Sequence, residues 1–325
     1  MATYKEIRGT QIEAVATDPS NPVEGQVWYN TTSNVLKGQA ATTAGAWASG
    51  NNMNDSRTSL GGTGVQTSAL GFGGYGDTQG VTESYNGTNW TEVNDLNNAR
   101  VYLAGAGVSN TSALAIGGYA TTPRAYTESW NGTNWTEVND LNTARFALSA
   151  AGTQTSAIAA GGATPPAARP TNSEIWNGTN WTNTGTINSA RDSMAAAGAD
   201  STSALIFGGT DGTKRGYTEV WNGSNWTEVN DLNDARFGLG GAGIATAALG
   251  FGGNQNPPKQ SAKTELWNGT NWVEQANLNT GRREIAGAGS STAGLAFGGY
   301  TTAASAATEE WTGAGAAVTR TFTDS

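Results

Sequence analysis

The chain has 325 residues, of which 13% are charged, and it carries a formal net charge of −9. Because nucleic-acid binding depends on clustered Lys and Arg, this acidic balance argues against a nucleic-acid partner. The sequence contains no cysteine and no histidine, so thiol chemistry is excluded and the commonest metal ligand and general base are missing. We therefore expect no metal, no cofactor and no catalytic residue. No apolar run approaches the ~20 residues of a membrane-spanning helix.

The first 43 residues precede a repeated pattern and predict a short N-terminal extension. Within them, residues 18–38 indicate a β-hairpin, because the strand-like runs "GQVWYN" and "NVLKG" flank a Thr-Thr-Ser turn. The extension has no apolar segment of the kind found in a secretory signal peptide. We therefore expect a hairpin segment over 1–43 and a larger domain over 44–325.

The rest of the chain is built from six repeated units. Gly-Gly pairs recur 44 to 47 residues apart, at 73–74, 117–118, 161–162, 208–209, 252–253 and 298–299. A glutamate column follows at 83, 128, 174, 219, 265 and 309. Two aromatic columns are Tyr85, Trp130, Trp176, Trp221, Trp267 and Trp311, and Trp47, Trp90, Trp135, Trp181, Trp226 and Trp272. An arginine column closes each unit, at Arg57, Arg100, Arg145, Arg191, Arg236 and Arg282.

Each unit predicts four short strands. In the second unit these are "LAGAGV" (103–108), "SALAIGG" (112–118), "YTESW" (126–130) and "NWTEV" (134–138). Asn131-Gly132 is a strong hairpin signal between the last two, because both residues tolerate positive φ. Four-stranded sheets repeated at this period are typical of a β-propeller. We therefore expect an all-β protein, a six-bladed propeller with a short N-terminal extension.

The two ends of the repeated region are complementary. The stretch 44–57 supplies Trp47 and Arg57 but no Gly-Gly pair, whereas "TEEW" (308–311) in the last unit is followed by no second tryptophan. We expect the strand with Trp47 to complete the last blade, so that N- and C-terminal strands pair and close the ring. The terminal run "AAVTRTFT" (316–323) would add a further strand or compete for the same edge.

The order of the columns resembles the kelch repeat over residues 57–311. The resemblance rests on the Gly-Gly pair after an apolar strand, the Glu-X-Trp, the second Trp and the Arg that opens the next unit. Tyr85 in place of the first Trp is a departure from this pattern. The resemblance implies a kelch-like, six-bladed β-propeller.

The repeated tryptophans and arginines have a functional and a structural interpretation. Tryptophan faces suit sugar rings, and the Arg and Glu columns could form a sialidase-like cluster or the carboxylate pair of a glycosidase. A catalytic site needs particular side chains on particular blades, whereas these recur in every blade. We therefore expect the tryptophans to wedge between blades and each arginine to bind a glutamate or loop carbonyls. The structural columns are Trp90, Trp135, Trp181, Trp226 and Trp272, and Arg100, Arg145, Arg191, Arg236 and Arg282.

Acidic "TEVND" runs at 91–95, 136–140 and 227–231 raise the alternative of a calcium site. They lack the alternating acidic loop that supplies several oxygen ligands, so solvated turns are the expectation. The sequence also lacks a phosphate-binding loop and a nucleophile elbow, and it therefore predicts a protein that is not an enzyme.

The loop between each Gly-Gly pair and the following glutamate is the part of the unit that varies. Strand alternation places all six loops on one face of the ring. Variable loops on a rigid scaffold are where binding usually occurs, and neutral drift of exposed loops is the alternative. The loops would give an acidic protein a locally basic rim. Its candidate binding residues are Arg124, Arg169, Lys214, Arg215, Lys259 and Lys263.

Two features resemble virion proteins of tailed bacteriophages. The segment Gly-X-X-Trp-Tyr-Asn…Asn-X-Leu-Lys, followed by Gly-X-Trp at 45–47, resembles a module common in tail fibres and other appendages. The repetitive units, such as "WNGTNWTEVNDLNTAR" (130–145), resemble phage structural proteins. The resemblance implies a place in the virion after assembly in a bacterial cytoplasm. It also implies that residues 1–43 attach to other virion proteins, with Trp28 and Tyr29 as the contact residues.

The sequence thus predicts a non-enzymatic virion structural protein whose propeller is displayed for attachment to host-surface glycans or for contact with protein. A purely structural decoration of the capsid or tail is an alternative, and a glycan-active enzyme is an alternative of another class. The enzyme would need a blade-specific acidic pair in the central channel, and the columns contain none. A homo-oligomer is compatible with the sequence, and membrane insertion is not expected.

Overall fold

The computed structural model of the chain describes residues 12–19, 26–40, 45–165, 168–313 and 318–322. These residues form strands, turns and loops without any helix, which confirms the all-β class. The strands are, in chain order, β1 (Glu13–Val15), β2 (Val27–Asn30), β3 (Val35–Ala40), β4 (Ala46–Ser49), β5 (Gly61–Val65), β6 (Ser68–Phe72), β7 (Thr82–Tyr85), β8 (Trp90–Val93), β9 (Ala104–Ser109), β10 (Ser112–Ile116), β11 (Thr127–Trp130), β12 (Trp135–Val138), β13 (Ser149–Gly152), β14 (Ala157–Ala160), β15 (Ser173–Trp176), β16 (Trp181–Thr184), β17 (Ala195–Asp200), β18 (Ser203–Phe207), β19 (Thr218–Trp221), β20 (Trp226–Val229), β21 (Gly240–Ile244), β22 (Ala247–Phe251), β23 (Thr264–Trp267), β24 (Trp272–Gln275), β25 (Ala286–Gly289), β26 (Ala293–Phe297), β27 (Thr308–Thr312) and β28 (Val318–Phe322).

The described residues divide into two compact units. The larger unit is Ala46–Thr312, and the smaller unit contains the described residues on either side of it. The larger unit consists of six four-stranded antiparallel sheets in a propeller-like arrangement. Their strand orders are β5-β6-β7-β8, β9-β10-β11-β12, β13-β14-β15-β16, β17-β18-β19-β20, β21-β22-β23-β24 and β25-β26-β27-β4.

The six sheets of the larger unit form a closed ring around a central channel. Their first strands, β5, β9, β13, β17, β21 and β25, pack side by side, and β25 packs against β5. These strands are rich in Gly and Ala because neighbouring sheets approach closely there. A Cβ on Gly105 would lie 2.5 Å from the carbonyl oxygen of Gly62 in the preceding sheet. The small residues of the sequence therefore set the width of the ring.

The last sheet is completed by a strand from the start of the larger unit. β4 pairs antiparallel with β27, and Trp47 lies opposite Trp311. This is the ring closure that the sequence predicts. β28, from the terminal run, does not compete for this edge, because it pairs with β3 in the smaller unit.

The smaller unit contains a seventh four-stranded sheet, of order β1-β2-β3-β28. The predicted hairpin is present as β2 and β3, with Trp28 opposite Lys37. The predicted count of six sheets was one too low, because β1 and β28 lie outside the repeat that the count followed. The domain boundary expected between residues 43 and 44, and residues 20–25 of the predicted hairpin segment, lie outside the described residues.

The second tryptophan column lies between neighbouring sheets of the ring. Trp135 on β12 is buried, and its ring centroid lies 5.0 Å from that of Phe72 in the preceding sheet. Its Nε1 donates a hydrogen bond of 3.0 Å to Oγ1 of Thr82, which also belongs to that sheet. The same bond recurs around the ring, from Trp47 to Thr264, Trp90 to Thr308, Trp181 to Thr127, Trp226 to Ser173 and Trp272 to Thr218. The tryptophans occupy the wedge positions expected from the sequence.

Each column arginine forms a buried ion pair with the column glutamate of the sheet that follows it. Arg145 Nη2 lies 3.0 Å from Glu174 Oε1, and Arg145 Nη1 donates to the carbonyls of Gly161 (3.1 Å) and Asn172 (2.6 Å). Burial lowers the pKa of Arg145, and the charge of Glu174 opposes this shift. The other five pairs are Arg57–Glu83, Arg100–Glu128, Arg191–Glu219, Arg236–Glu265 and Arg282–Glu309. Both expected partners, a glutamate and loop carbonyls, are therefore present.

Candidate ligand-binding cleft on the loop face

The loop face is the end of the ring that carries the connections after the second and fourth strands of each sheet. An isolated backbone bridge joins the two kinds of connection in every unit, as between Val101 and Tyr119. The six basic residues predicted as candidate binding residues all lie in connections of this face. The structure does not bring them together into one cluster.

Most of these basic residues are occupied by near neighbours. Lys214 donates through Nζ to the carbonyl of Asn256 at 2.7 Å and to that of Gln255. Three others form ion pairs, Arg169 with Asp192, Arg215 with Asp211, and Lys263 with Asp234 and Glu274. Carboxylates thus neutralise three of the six basic residues, and backbone carbonyls bind a fourth.

Arg124 and Lys259 have, like Lys214, no acidic partner within the described part of the chain. Arg124 lies over the Tyr126 ring, with its guanidinium carbon 5.4 Å from the centroid, and donates to Thr121 Oγ1 at 3.3 Å. Lys259 is exposed and contacts no hydrogen-bonding or charged partner there. Their role in binding stays a prediction, and neither forms a concave site.

A ring of six backbone hydrogen bonds surrounds the mouth of the channel on the loop face. In each unit, the second residue after the column arginine has a left-handed backbone, with φ between 50° and 62°. Its N–H donates to the carbonyl of the equivalent residue in the preceding unit, over 2.5 to 3.1 Å. These six residues, which we call the mouth ring, are Ser59, Tyr102, Ala147, Ser193, Gly238 and Glu284. Only one is a glycine, although glycine adopts this conformation most readily.

The backbone of the mouth ring repeats six times, but its side chains do not. The same holds for the two positions that the isolated bridges join, the residue after the column arginine and the residue after the Gly-Gly pair. The scaffold therefore fixes the main chain at these three positions and leaves the side chains free to differ. Of the nine aromatic or charged side chains at these positions, six lie in the last, first and second units, and the other three are Phe146, Asp192 and Phe237. One side of the mouth is therefore richer in such side chains.

A cleft of about 600 Å³ opens on this side. We call it the tyrosine cleft, and its principal residues are Tyr75, Asp77, Tyr102, Arg283, Glu284 and Tyr300. The rings of Tyr75 and Tyr102 meet edge to face, with centroids 5.6 Å apart. The volume lies within the range of ~300–1,000 Å³ that is usual for ligand pockets. The cleft therefore has the size and the aromatic lining of a small-molecule site.

The polar groups of the tyrosine cleft form a connected arrangement. Glu284 accepts hydrogen bonds of 2.5 Å from Ser59 Oγ and from Arg283 Nη1. Arg283 lies over the Tyr300 ring at 4.6 Å, and its buried Nε has no acceptor within the described part of the chain. Burial raises the pKa of Tyr102, and the charge of Glu284 raises it further, so the hydroxyl is protonated at neutral pH. The cleft thus offers hydrogen-bond donors and acceptors beside aromatic faces.

The charges of the cleft argue against an anionic ligand. Asp77 and Glu284 are acidic, whereas Arg283 is the one basic side chain and is already paired with Glu284. A ring with an apolar face and several hydroxyl groups matches this lining, because the face stacks on tyrosine and the hydroxyls reach the polar groups.

A second cleft, of about 400 Å³, lies in the neighbouring units of the loop face. We call it the threonine cleft, and it is lined by Tyr119, Thr121, Thr122, Pro123, Phe146 and Thr164, together with Pro165. Among the described residues its lining consists of aromatic, proline and hydroxyl side chains, and Arg124 donates to one of these hydroxyls, Thr121 Oγ1.

Each acidic run covers the end of a fourth strand and the start of the loop that follows it. Asp95, Asp140 and Asp231 each accept a hydrogen bond from the backbone N–H of the residue that begins the third strand of their sheet. Among the described residues, no group of three or more His, Cys, Asp or Glu side chains could hold a metal ion. Nor does the described part of the chain form a helix that is long and apolar enough to cross a membrane.

The two predicted attachment residues of the smaller unit differ in their surroundings. Trp28 is fully buried, and its Nε1 donates to Asp18 Oδ1 at 3.0 Å. Hydrogen bonds from Lys37, Trp28 and Asn30 lower the pKa of Asp18 to about 2. Tyr29 is 37% exposed. Trp28 therefore stabilises its own sheet, and of the two residues only Tyr29 is available to contact another protein.

The residues of the tyrosine cleft were not among the residues predicted from the sequence, because they do not recur from unit to unit. The signal was nevertheless present, because Tyr75, Tyr119 and Tyr300 each follow a Gly-Gly pair, whereas Ala163, Thr210 and Asn254 do so in the other units.

Comparison with known proteins identifies the class of fold. The chain is similar to the solved structure of YjhT, with a TM-score of 0.65 and 12% sequence identity over 80% of this chain and 95% of YjhT. At this identity the likeness concerns the fold alone, and together with the repeated four-stranded sheets it fits a β-propeller. No protein-family model matches the sequence. No curated protein matches it either.

Proposed function

We propose that the larger unit is a six-bladed, kelch-like β-propeller that binds neutral glycans without catalysis and is displayed on the virion of a tailed bacteriophage. The observation that carries the binding function is the tyrosine cleft. Its three tyrosines and the Glu284–Arg283 pair lie at positions where the repeat does not dictate the side chain. The proposal therefore assigns binding to the loop face, as the variable loops suggest, but to aromatic residues rather than to a basic rim.

Binding depends on the tyrosine rings in this proposal. We expect Tyr75→Ala and Tyr102→Ala to weaken binding to neutral bacterial surface polysaccharides at least about tenfold. Aromatic side chains that become buried against a ligand contribute ~2 kcal/mol or more to the binding free energy. Binding of the purified protein to an array of such polysaccharides, followed by titration with the best one, measures this change. Lys259→Ala is the matched control, since Lys259 is an exposed loop residue on the same face. Normal binding by both tyrosine variants and loss in the lysine control would favour the basic rim instead.

The glycan-active enzyme is the alternative of another class, and Glu284 makes it testable. The lining of the cleft contains a second carboxylate, Asp77, and a glycosidase uses a pair of carboxylates. Under the proposal, prolonged incubation with the bound polysaccharide releases no new reducing ends. If the unaltered protein releases reducing ends and Glu284→Gln does not, the protein hydrolyses the polysaccharide, and the proposal of binding without catalysis is wrong.

The virion part of the proposal rests on the resemblance of residues 25–37 and of the repetitive units to phage appendage proteins. We expect antibodies against the propeller to label purified phage particles in electron micrographs, at a tail or capsid surface. Deletion of residues 1–43 is expected to remove this label while the propeller remains folded in the lysate. Labelled particles after the deletion would contradict attachment through this segment, and labelled particles without glycan binding would indicate a purely structural decoration.

A further inference from the structure

The aromatic residues of the two clefts form one continuous series across the loop face. Tyr75 contacts Tyr102 with centroids 5.6 Å apart, Tyr102 approaches Phe146 at 6.2 Å, and Phe146 contacts Tyr119 at 5.3 Å. The first two rings belong to the tyrosine cleft and the last two to the threonine cleft. The contact between Tyr102 and Phe146 therefore joins the clefts.

This series is not a by-product of the repeat. The equivalent positions after the Gly-Gly pairs in the third, fourth and fifth units are Ala163, Thr210 and Asn254. The backbone bridges at these positions are nevertheless the same. Tyrosine at this position is thus confined to the last, first and second units, and the scaffold does not need it there. Phe146 instead follows its column arginine, and Phe237 occupies the equivalent position in the fifth unit. All four rings are partly exposed.

From these contacts we propose that the two clefts are one track, which binds several consecutive residues of a neutral, linear oligosaccharide rather than a single terminal sugar. This inference rests on the glycan-binding function proposed above. Each step between neighbouring rings is comparable with the length of one hexose in such a chain. The tyrosine cleft, with Glu284 and Arg283, would orient one sugar through polar contacts. The threonine cleft would hold the sugars that follow by stacking on Phe146 and Tyr119.

Chain length separates a track from a single-sugar site. The probes are cello-, malto- and N-acetylchito-oligosaccharides of one to six residues, titrated into the full-length protein by calorimetry. We expect the affinity for at least one series to rise by about tenfold or more between the disaccharide and the tetramer or pentamer, and then to level off. Affinity that is independent of length would overturn the track while leaving the glycan-binding function intact.

Variants at the two ends of the track provide the second readout. Phe146→Ala should reduce the affinity for the tetramer and pentamer more than the affinity for the disaccharide, whereas Tyr75→Ala should weaken binding of every length. Phe146→Tyr keeps the ring and should preserve the length dependence, and thermal melting checks that each variant is folded. Equal loss for short and long chains in Phe146→Ala overturns the inference.

The remaining outcomes are also decisive. If the three neutral series fail to bind while oligomers of sialic acid bind, the neutral track is wrong and the site accepts anions. If no oligosaccharide and no polysaccharide of the array binds, the proposed glycan-binding function fails together with the track.

Discussion

Replacing Trp135 with alanine is expected to lower the free energy of unfolding of the propeller by about 3–5 kcal/mol. The side chain is 5% exposed and fills the space between two neighbouring sheets. Its ring lies 5.0 Å from Phe72 and 5.3 Å from Trp130, and its Nε1 donates to Thr82. Removal leaves a cavity that two rigid sheets cannot close. The cost of this cavity therefore adds to the free energy lost with the apolar burial of the indole ring. Urea unfolding followed by circular dichroism measures the change.

Two variants separate the contributions of the indole hydrogen bond and of the ring packing to stability. Thr82→Val retains the volume and leaves the buried indole N–H without an acceptor, so it should lower the free energy of unfolding by about 1–3 kcal/mol. Trp135→Phe keeps an aromatic ring between the sheets, so its loss in free energy of unfolding should lie between the losses for Thr82→Val and Trp135→Ala. If Trp135→Ala melts within a degree or two of the parent, the tryptophan column does not hold the sheets together.

Replacing Arg145 with methionine is also expected to destabilise the protein by about 3–5 kcal/mol, because it leaves a buried carboxylate without its counter-charge. Glu174 is fully buried, and its second oxygen accepts from the backbone N–H and the side-chain amide of Asn142 at 2.7 and 2.8 Å. The carboxylate thus attaches the loop from one sheet to the next, and it cannot move into solvent. Methionine is similar in length to the arginine stem, so the variant keeps most of the packing and removes the charge together with the hydrogen bonds to the carbonyls of Gly161 and Asn172.

The matched control for this variant is Arg215→Met. Arg215 and Asp211 form an ion pair of 2.8 Å, but both side chains are about one third exposed and the pair is screened by solvent. We expect no measurable change in the unfolding midpoint for this control. A similar midpoint for Arg145→Met and Arg215→Met would show that the buried pairs are dispensable for stability.

The ring could be predicted from the sequence because its determinants recur at a fixed period. Trp135, Arg145 and Asn131-Gly132 each have equivalents in other units, and the position of each follows from local strand and turn chemistry. The seventh sheet could not be found in this way. β1 has three residues, and β28 pairs with β3 across nearly the whole length of the chain, so neither leaves a local pattern.

The candidate site was harder to predict for two physical reasons. The basic loop residues were recognised as charges, but their neutralisation depends on acids that the fold brings near, such as Asp192 for Arg169 and Asp234 for Lys263. The cleft depends on differences between units, and a search for recurring residues does not detect differences. Glu284 illustrates the second point, because its neighbour Ser59 lies 225 residues away in sequence.

The pairing of β4 with β27 has a consequence for how the chain folds during translation. β4 leaves the exit tunnel before the rest of the ring, but its partner is synthesised last. Until then β4 has no neighbour in its sheet, and the first and last sheets cannot yet meet. The ring therefore closes only after translation has passed Thr312, and a nascent chain that stalls earlier exposes the edge of an open ring to association with other chains.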